Sequence, residues 1–186
     1  MKRMENVARM LEKNTLVWER EFSVTPEKLW AAIATREGLS HWFMPTPFEI
    51  EEGGRFDWDG GWEGTITEVD PPHRIRFTPD YSDEAYMLFE IEETKSGCLF
   101  KLTDKMAPTL DAQTYFAADR PKSEIYQPGG IGTHWTGIVS GYHRFVDALE
   151  SYITGVEIPL PSRFQLDDEA NRLYRDMLDE WHSVEK

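Results

Sequence analysis

Residues 133–155 read THWTGIVSGYHRFVDALESYITG. Trp135, Ile138, Val139, Tyr142, Phe145, Val146, Leu149, Tyr152 and Ile153 recur at steps of three, one and three. That is the period of an amphipathic helix with one wide apolar face. Thr133 suits a helix N-cap, and Gly155 suits the left-handed residue that ends a helix. A face this aromatic needs a large apolar partner, and the chain before it is rich in strand patterns, so the partner is expected to be a sheet. Gly137, Gly141 and Ala148 fall on one line of the helix. Glycine costs about 1 kcal/mol against alanine in a helix interior. Two on one line indicate either close backbone approach or room left for something else.

Working outward, Leu16, Trp18, Phe22 and Val24 alternate with Glu19, Glu21 and Ser23, which predicts a strand with one buried face. Arg20 lies on the apolar side of that alternation. It is either an edge arginine that reaches water along its stem or a cation inside the fold, meeting a ligand carboxylate or a neighbouring acid. Thr25-Pro26-Glu27 is a helix start, with a capping hydroxyl, proline at the first position and an acid in the first turn. A second short helix is expected from near Thr35 to His41-Trp42. From Phe48 to Thr103, short alternating runs and the turns at 51–53, 59–61, 70–72 and 95–97 predict an antiparallel meander. Residues 2–13 carry Met4, Val7, Ala8 and Leu11 at helical spacing and predict a short docked helix. Residues 105–132 combine prolines and glycines with aromatics, as a lid or packing element would. After an extended Ile158–Pro161 connector, residues 167–184 predict a last helix. It would dock by Leu173, Met177 and Trp181 on its own domain or on a second copy.

The chain has 186 residues, 20 basic against 34 acidic side chains, a formal net charge of −14 and 13% aromatics. An acidic surface repels phosphate, which argues against nucleic acid and anionic membranes as partners. No apolar run approaches the roughly 20 residues of a membrane span. The N-terminus lacks the unbroken apolar core of a secretory signal. Cys98 is the one cysteine, which excludes an internal disulfide and suits a reducing cytoplasm.

The order of elements is that of a helix-grip fold: an α+β arrangement with a curved antiparallel sheet wrapped around a long C-terminal helix. The residues agree. VTPEKLWAAIAT (24–35) followed by LSHWF (39–43) resembles the opening of the START-like (SRPBCC) superfamily, in the branch related to activators of the heat-shock chaperone ATPase. GGRF (53–56) and WEGTITEVDPPHRIRFT (62–78) resemble that branch's paired glycines, G-x-hydrophobic strand and D-P-P turn. GYHRFVDALESY (141–152) resembles its closing helix, with Tyr142 where tryptophan is usual. The resemblance covers about residues 15–154. Residues 1–14 then form an N-terminal helical extension, and 155–186 a C-terminal extension with an amphipathic helix.

The resemblance implies a cavity between sheet and long helix. The inward positions give its expected lining: Arg20, Phe56, Trp58, Trp62, Phe77 and Phe89 from the strands, and His134, Trp135, Ile138 and Tyr142 from the helix. Such a lining suits a small hydrophobic or aromatic ligand with a few polar atoms. Equally, these side chains could fill the core. No cofactor is called for. His143, Asp147 and Glu150 share a helix face, expected to be a solvated one opposite the apolar stripe rather than a metal site. Cys98 faces the core side of its strand and reads as buried and unreactive. No nucleophile-elbow or phosphate-loop motif is present. An enzyme of this kind would use general acid–base help from His134, Asp104 or Arg20 on a polyketide or aromatic substrate, as a cofactor-free cyclase would. The superfamily also leaves open a chaperone-associated interaction module. A homodimer is a further possibility.

Overall fold

The computed structural model describes residues 7–12, 15–58, 62–105 and 133–156, with side chains of the last segment described from 141 onward. The 59–61 turn, the 105–132 insertion beyond Lys105, the C-terminal helix and the side chains of His134, Trp135, Gly137 and Ile138 lie outside the described residues. By contacts the chain divides into two compact units. One is Glu5–Ala107 with Phe145–Ile158; the other is Met1–Met4, Pro108–Arg144 and Pro159–Lys186.

The first unit is built on seven antiparallel strands: β1 (Arg9–Glu12), β2 (Thr15–Phe22), β3 (Arg55–Trp58), β4 (Trp62–Asp70), β5 (Arg74–Pro79), β6 (Tyr86–Thr94) and β7 (Gly97–Lys105). Their order across the sheet is β1-β2-β7-β6-β5-β4-β3. Local hairpins therefore make most of the sheet, and one long-range pairing, β2 with β7, joins the first strands to the last. The alternation expected from sequence sets the inner face. Trp18, Leu102, Phe89 and Ile75 form one row across four strands, and Arg20, Phe100 and Ile91 form the next. All seven are buried.

Residues 9–12 are a strand, not the helix that their apolar spacing suggested. The ladder to β2 explains the difference. A helix of about 12 residues is marginal alone in water, whereas pairing with β2 satisfies backbone groups that β2 would otherwise leave open. Phe48–Ile50, on the expected strand side of the 51–53 turn, has no strand structure.

Two helices follow β2, and both begin where the sequence indicated. In α1 (Pro26–Ile33) the Thr25 hydroxyl accepts from the Lys28 N–H at 3.3 Å. In α2 (Arg36–Trp42) the Thr35 hydroxyl accepts from Gly38 N–H at 3.0 Å. The long helix α3 runs Thr133–Thr154. It ends as expected on Gly155, at φ +70°, whose N–H returns to Ser151 O at 2.9 Å.

Gly64 on β4 opposes Phe56 on β3. A Cβ there would collide with the Thr78 carbonyl and come within 2.7 Å of the Phe56 ring. Neither the ladder nor a sealed ring can yield cheaply. Gly64→Ala is expected to lower stability by about 2 kcal/mol, read as a drop in the urea midpoint with the slope unchanged.

Candidate functional site

The inward aromatic residues converge on one cluster. Phe56, Trp58, Phe77 and Phe89 have no exposed surface. Trp58 stands 5.0 Å from Phe77 and 5.1 Å from Phe56, ring centre to ring centre, and Phe77 is 5.4 Å from Phe89. Trp62 joins at 5.3 Å from Trp58 but stays half-buried. These edge-on and tilted contacts are the arrangements that ring quadrupoles favour. The five strand aromatics expected to line a cavity are therefore brought together in mutual contact.

Among the rings not assigned to the site from sequence, three tie the cluster to α2 and α3. Trp42 ends α2, lies 5.6 Å from Phe89 and donates its indole N–H to Ala32 O at 2.9 Å. Phe43 follows it and touches Trp58 at 5.1 Å, Phe89 at 5.8 Å and Phe145 of α3 at 4.6 Å. Phe145 is half-buried. Phe43 sits in an irregular segment where neither period applies. Its signal in the sequence is the Trp-Phe pair at a helix end just before Met44-Pro45. Trp58 gains a polar tether as well: its indole N–H donates to the Thr46 hydroxyl at 3.1 Å.

Arg20 is inside the fold. Its side chain is 4% exposed, and Nη2 meets Asp147 Oδ1 at 2.8 Å. Nε lies 3.4 Å from Glu150 Oε2, and Nη1 donates to Glu19 O at 2.9 Å. Of the two outcomes open in the sequence, the neighbouring acid is the one found. The expectation of a solvated acidic helix face is corrected accordingly. The Asp147 side chain is only 16% exposed and Glu150 40%, while His143 is 2% exposed. Asp147 is covered because the inward arginine of β2 supplies the counter-charge that lets a carboxylate leave water. Tyr142 is buried at 7% exposure. Asp104 is buried on β7, in register with Leu16 and Met87.

Cys98 is fully buried, with its thiol 3.4 Å from Val24 O. Burial raises its pKa, so it stays a thiol. Among the described residues no group of three His, Cys, Asp or Glu could hold a metal, and no helix is long and apolar enough to cross a membrane.

The profile of the family described as Activator of Hsp90 ATPase homolog 1-like protein matches residues 23–139. The chain belongs to that family. The motifs at 24–43 and 62–78 fall within the matched stretch, as the resemblance to the chaperone-activator branch implied. No curated protein sequence matches the chain. Solved structures agree on the fold. CalU16 from Micromonospora echinospora is 16% identical over 96% of this chain and 94% of its own, with a TM-score of 0.59. EF2215 from Enterococcus faecalis, a conserved protein of unknown function, is 18% identical over 98% and 93%, also at 0.59. BH1534 from Bacillus halodurans is 24% identical over 74% and 94%, at 0.52. An open seven-stranded antiparallel sheet with a long C-terminal helix is thus the Activator of Hsp90 ATPase homolog 1-like fold, an α+β arrangement of the helix-grip kind.

Proposed function

We propose that the chain binds a small hydrophobic ligand, aromatic or acyl in character, between its sheet and its long helix and without covalent chemistry. One observation carries the reading. Gly141 stands one turn before Phe145 on the same line of α3, and a Cβ there would meet no heavy atom within 4 Å. Phe145 and Trp62 are the half-buried members of a cluster whose other strand rings are sealed. A ligand ring lying against them would extend the cluster rather than replace any part of it. Recognition would be apolar, because Arg20 already holds Asp147.

Gly141→Leu tests it. The open space accepts the side chain, and losing a mid-helix glycine is expected to raise stability by about 0.5–1 kcal/mol. The same side chain is expected to abolish binding of a neutral naphthalene-based fluorescent probe that the wild type binds. Loss of binding in a more stable protein cannot be ascribed to unfolding. A variant that binds as the wild type does would overturn the reading.

The complete burial of Phe56, Trp58, Phe77 and Phe89 favours a second reading, a chaperone-associated interaction module whose rings serve only as core. A wild type that binds no probe supports it. A cyclase-like enzyme would require an ionisable group beside the ligand. Asp104, buried on β7, is its candidate on the sheet.

A further inference from the structure

β1 ends the sheet. All four of its residues are exposed, and Met10 and Leu11 stand at 39% and 52% exposure. An end strand with accessible apolar side chains is a template for pairing with another chain. The register with β2 shows which chain it fits. Arg9 opposes Val17, Met10 opposes Leu16 and Glu12 opposes Thr15, so Met10 and Leu11 together face Leu16 in a bulge. In a regular strand Arg9 and Glu12, three residues apart, would point to opposite sides. The bulge returns Glu12 to the side of Arg9. On that side Arg9 meets Glu19 at 2.9 Å and Glu12 meets Lys105 at 2.9 Å. Met10 and Leu11 share the other side with Leu16.

The strand therefore reads basic, apolar, apolar, acidic, with the two charges on one side and the two apolar residues on the other. That pattern is its own complement. We propose that β1 pairs antiparallel with β1 of a second copy about a two-fold axis perpendicular to the sheet. Arg9 then faces Glu12 of the second copy, Met10 faces Leu11, and the reciprocal pairs follow by symmetry. The polar atoms needed are available. Arg9 holds Glu19 through Nε and Nη2, leaving Nη1. Glu12 receives Thr15 and Lys105 on Oε1, leaving Oε2. Opposite charges and apolar side chains directly across a strand pair both favour the register, and like charges oppose it. The interface is short, so the dimer is weak and forms at high protein concentration.

Sedimentation equilibrium of the full chain, carried to the highest soluble concentration, is the measurement. The wild type is expected to approach twice the monomer mass, and Leu11→Lys to remain a monomer. Arg9→Glu and Glu12→Arg each set like charges across the axis twice, and each is expected to weaken association about tenfold. An equimolar mixture of the two variants restores both attractive pairs and is expected to associate as the wild type does. Mixing changes nothing within either chain, so recovery cannot come from the contacts to Glu19 or Lys105. A wild type that stays monomeric, a dimer indifferent to these substitutions, or a mixture that fails to recover would each overturn the proposal.

Discussion

Truncating Phe43 to alanine is expected to lower the unfolding free energy by about 3–5 kcal/mol. Phe43 is 1% exposed. Its ring stands within 6 Å of four others: Phe145 at 4.6 Å, Trp58 at 5.1 Å, Trp42 at 5.3 Å and Phe89 at 5.8 Å. It touches the sheet rings Trp58 and Phe89 and also Phe145 of the long helix. The cost has two parts: the transfer of a phenyl group out of water, and the void left among rigid neighbours that cannot collapse into it. Pairwise ring contacts add about 0.5–1.5 kcal/mol each beyond area alone. Phe43→Leu keeps most of the volume and is expected to cost less than half as much. Urea unfolding of both variants, followed by far-ultraviolet and aromatic circular dichroism, measures this. A Phe43→Ala loss below about 1 kcal/mol would mean that the helix is held by Val146, Leu149 and Ile153 without the ring bridge.

Phe43 also marks where sequence patterns stop being informative. The strands were legible because one face of each is buried, which forces period two: β6 buries Met87, Phe89 and Ile91 in alternation. The helix starts were legible because Thr25 and Thr35 satisfy amide donors that any helix start leaves open. The end of α3 was legible at Gly155 for the matching reason at its carbonyl end. These are local rules, and local residues carry them. The helical spacing of β1 is a weak preference that pairing with β2 overrides. Phe43 lies between elements, where no period marks it. The helix face bearing Asp147 has its partner 127 residues away, beyond the reach of any local pattern. A lone arginine on an apolar strand face announces an unpaired charge, but it does not say which acid answers it. Of the aromatic cluster, the strand side follows residue by residue from the alternation. The three rings that tie it to α2 and α3 do not.

The second large effect concerns that arginine. Asp147→Ala is expected to destabilise the protein by about 3–5 kcal/mol, because it leaves the Arg20 guanidinium, buried in register with Phe100, without the carboxylate 2.8 Å away. Arg20→Met is expected to cost less. Asp147 is 16% exposed against 4% for Arg20, so the carboxylate recovers water more readily than the guanidinium. The double variant Arg20→Met with Asp147→Leu removes both charges and fills their space. It is expected to lie within about 1 kcal/mol of the wild type or above it, since an apolar replacement avoids desolvating two ions. The single costs therefore exceed the double cost, and the cycle isolates the coupling between β2 and α3. Glu150, 3.4 Å from Arg20 Nε, can take over part of the charge. Adding Glu150→Gln to Asp147→Ala is accordingly expected to deepen the loss. Salt separates this pair from those on the surface: the half-exposed Arg55–Asp80 pair weakens as ionic strength rises, while the Arg20–Asp147 coupling persists at 0.5 M because counter-ions cannot reach it. Should Asp147→Ala cost less than about 1 kcal/mol, or should the coupling vanish in salt, Arg20 would be reaching water in solution and the closed packing of α3 on β2 would be wrong.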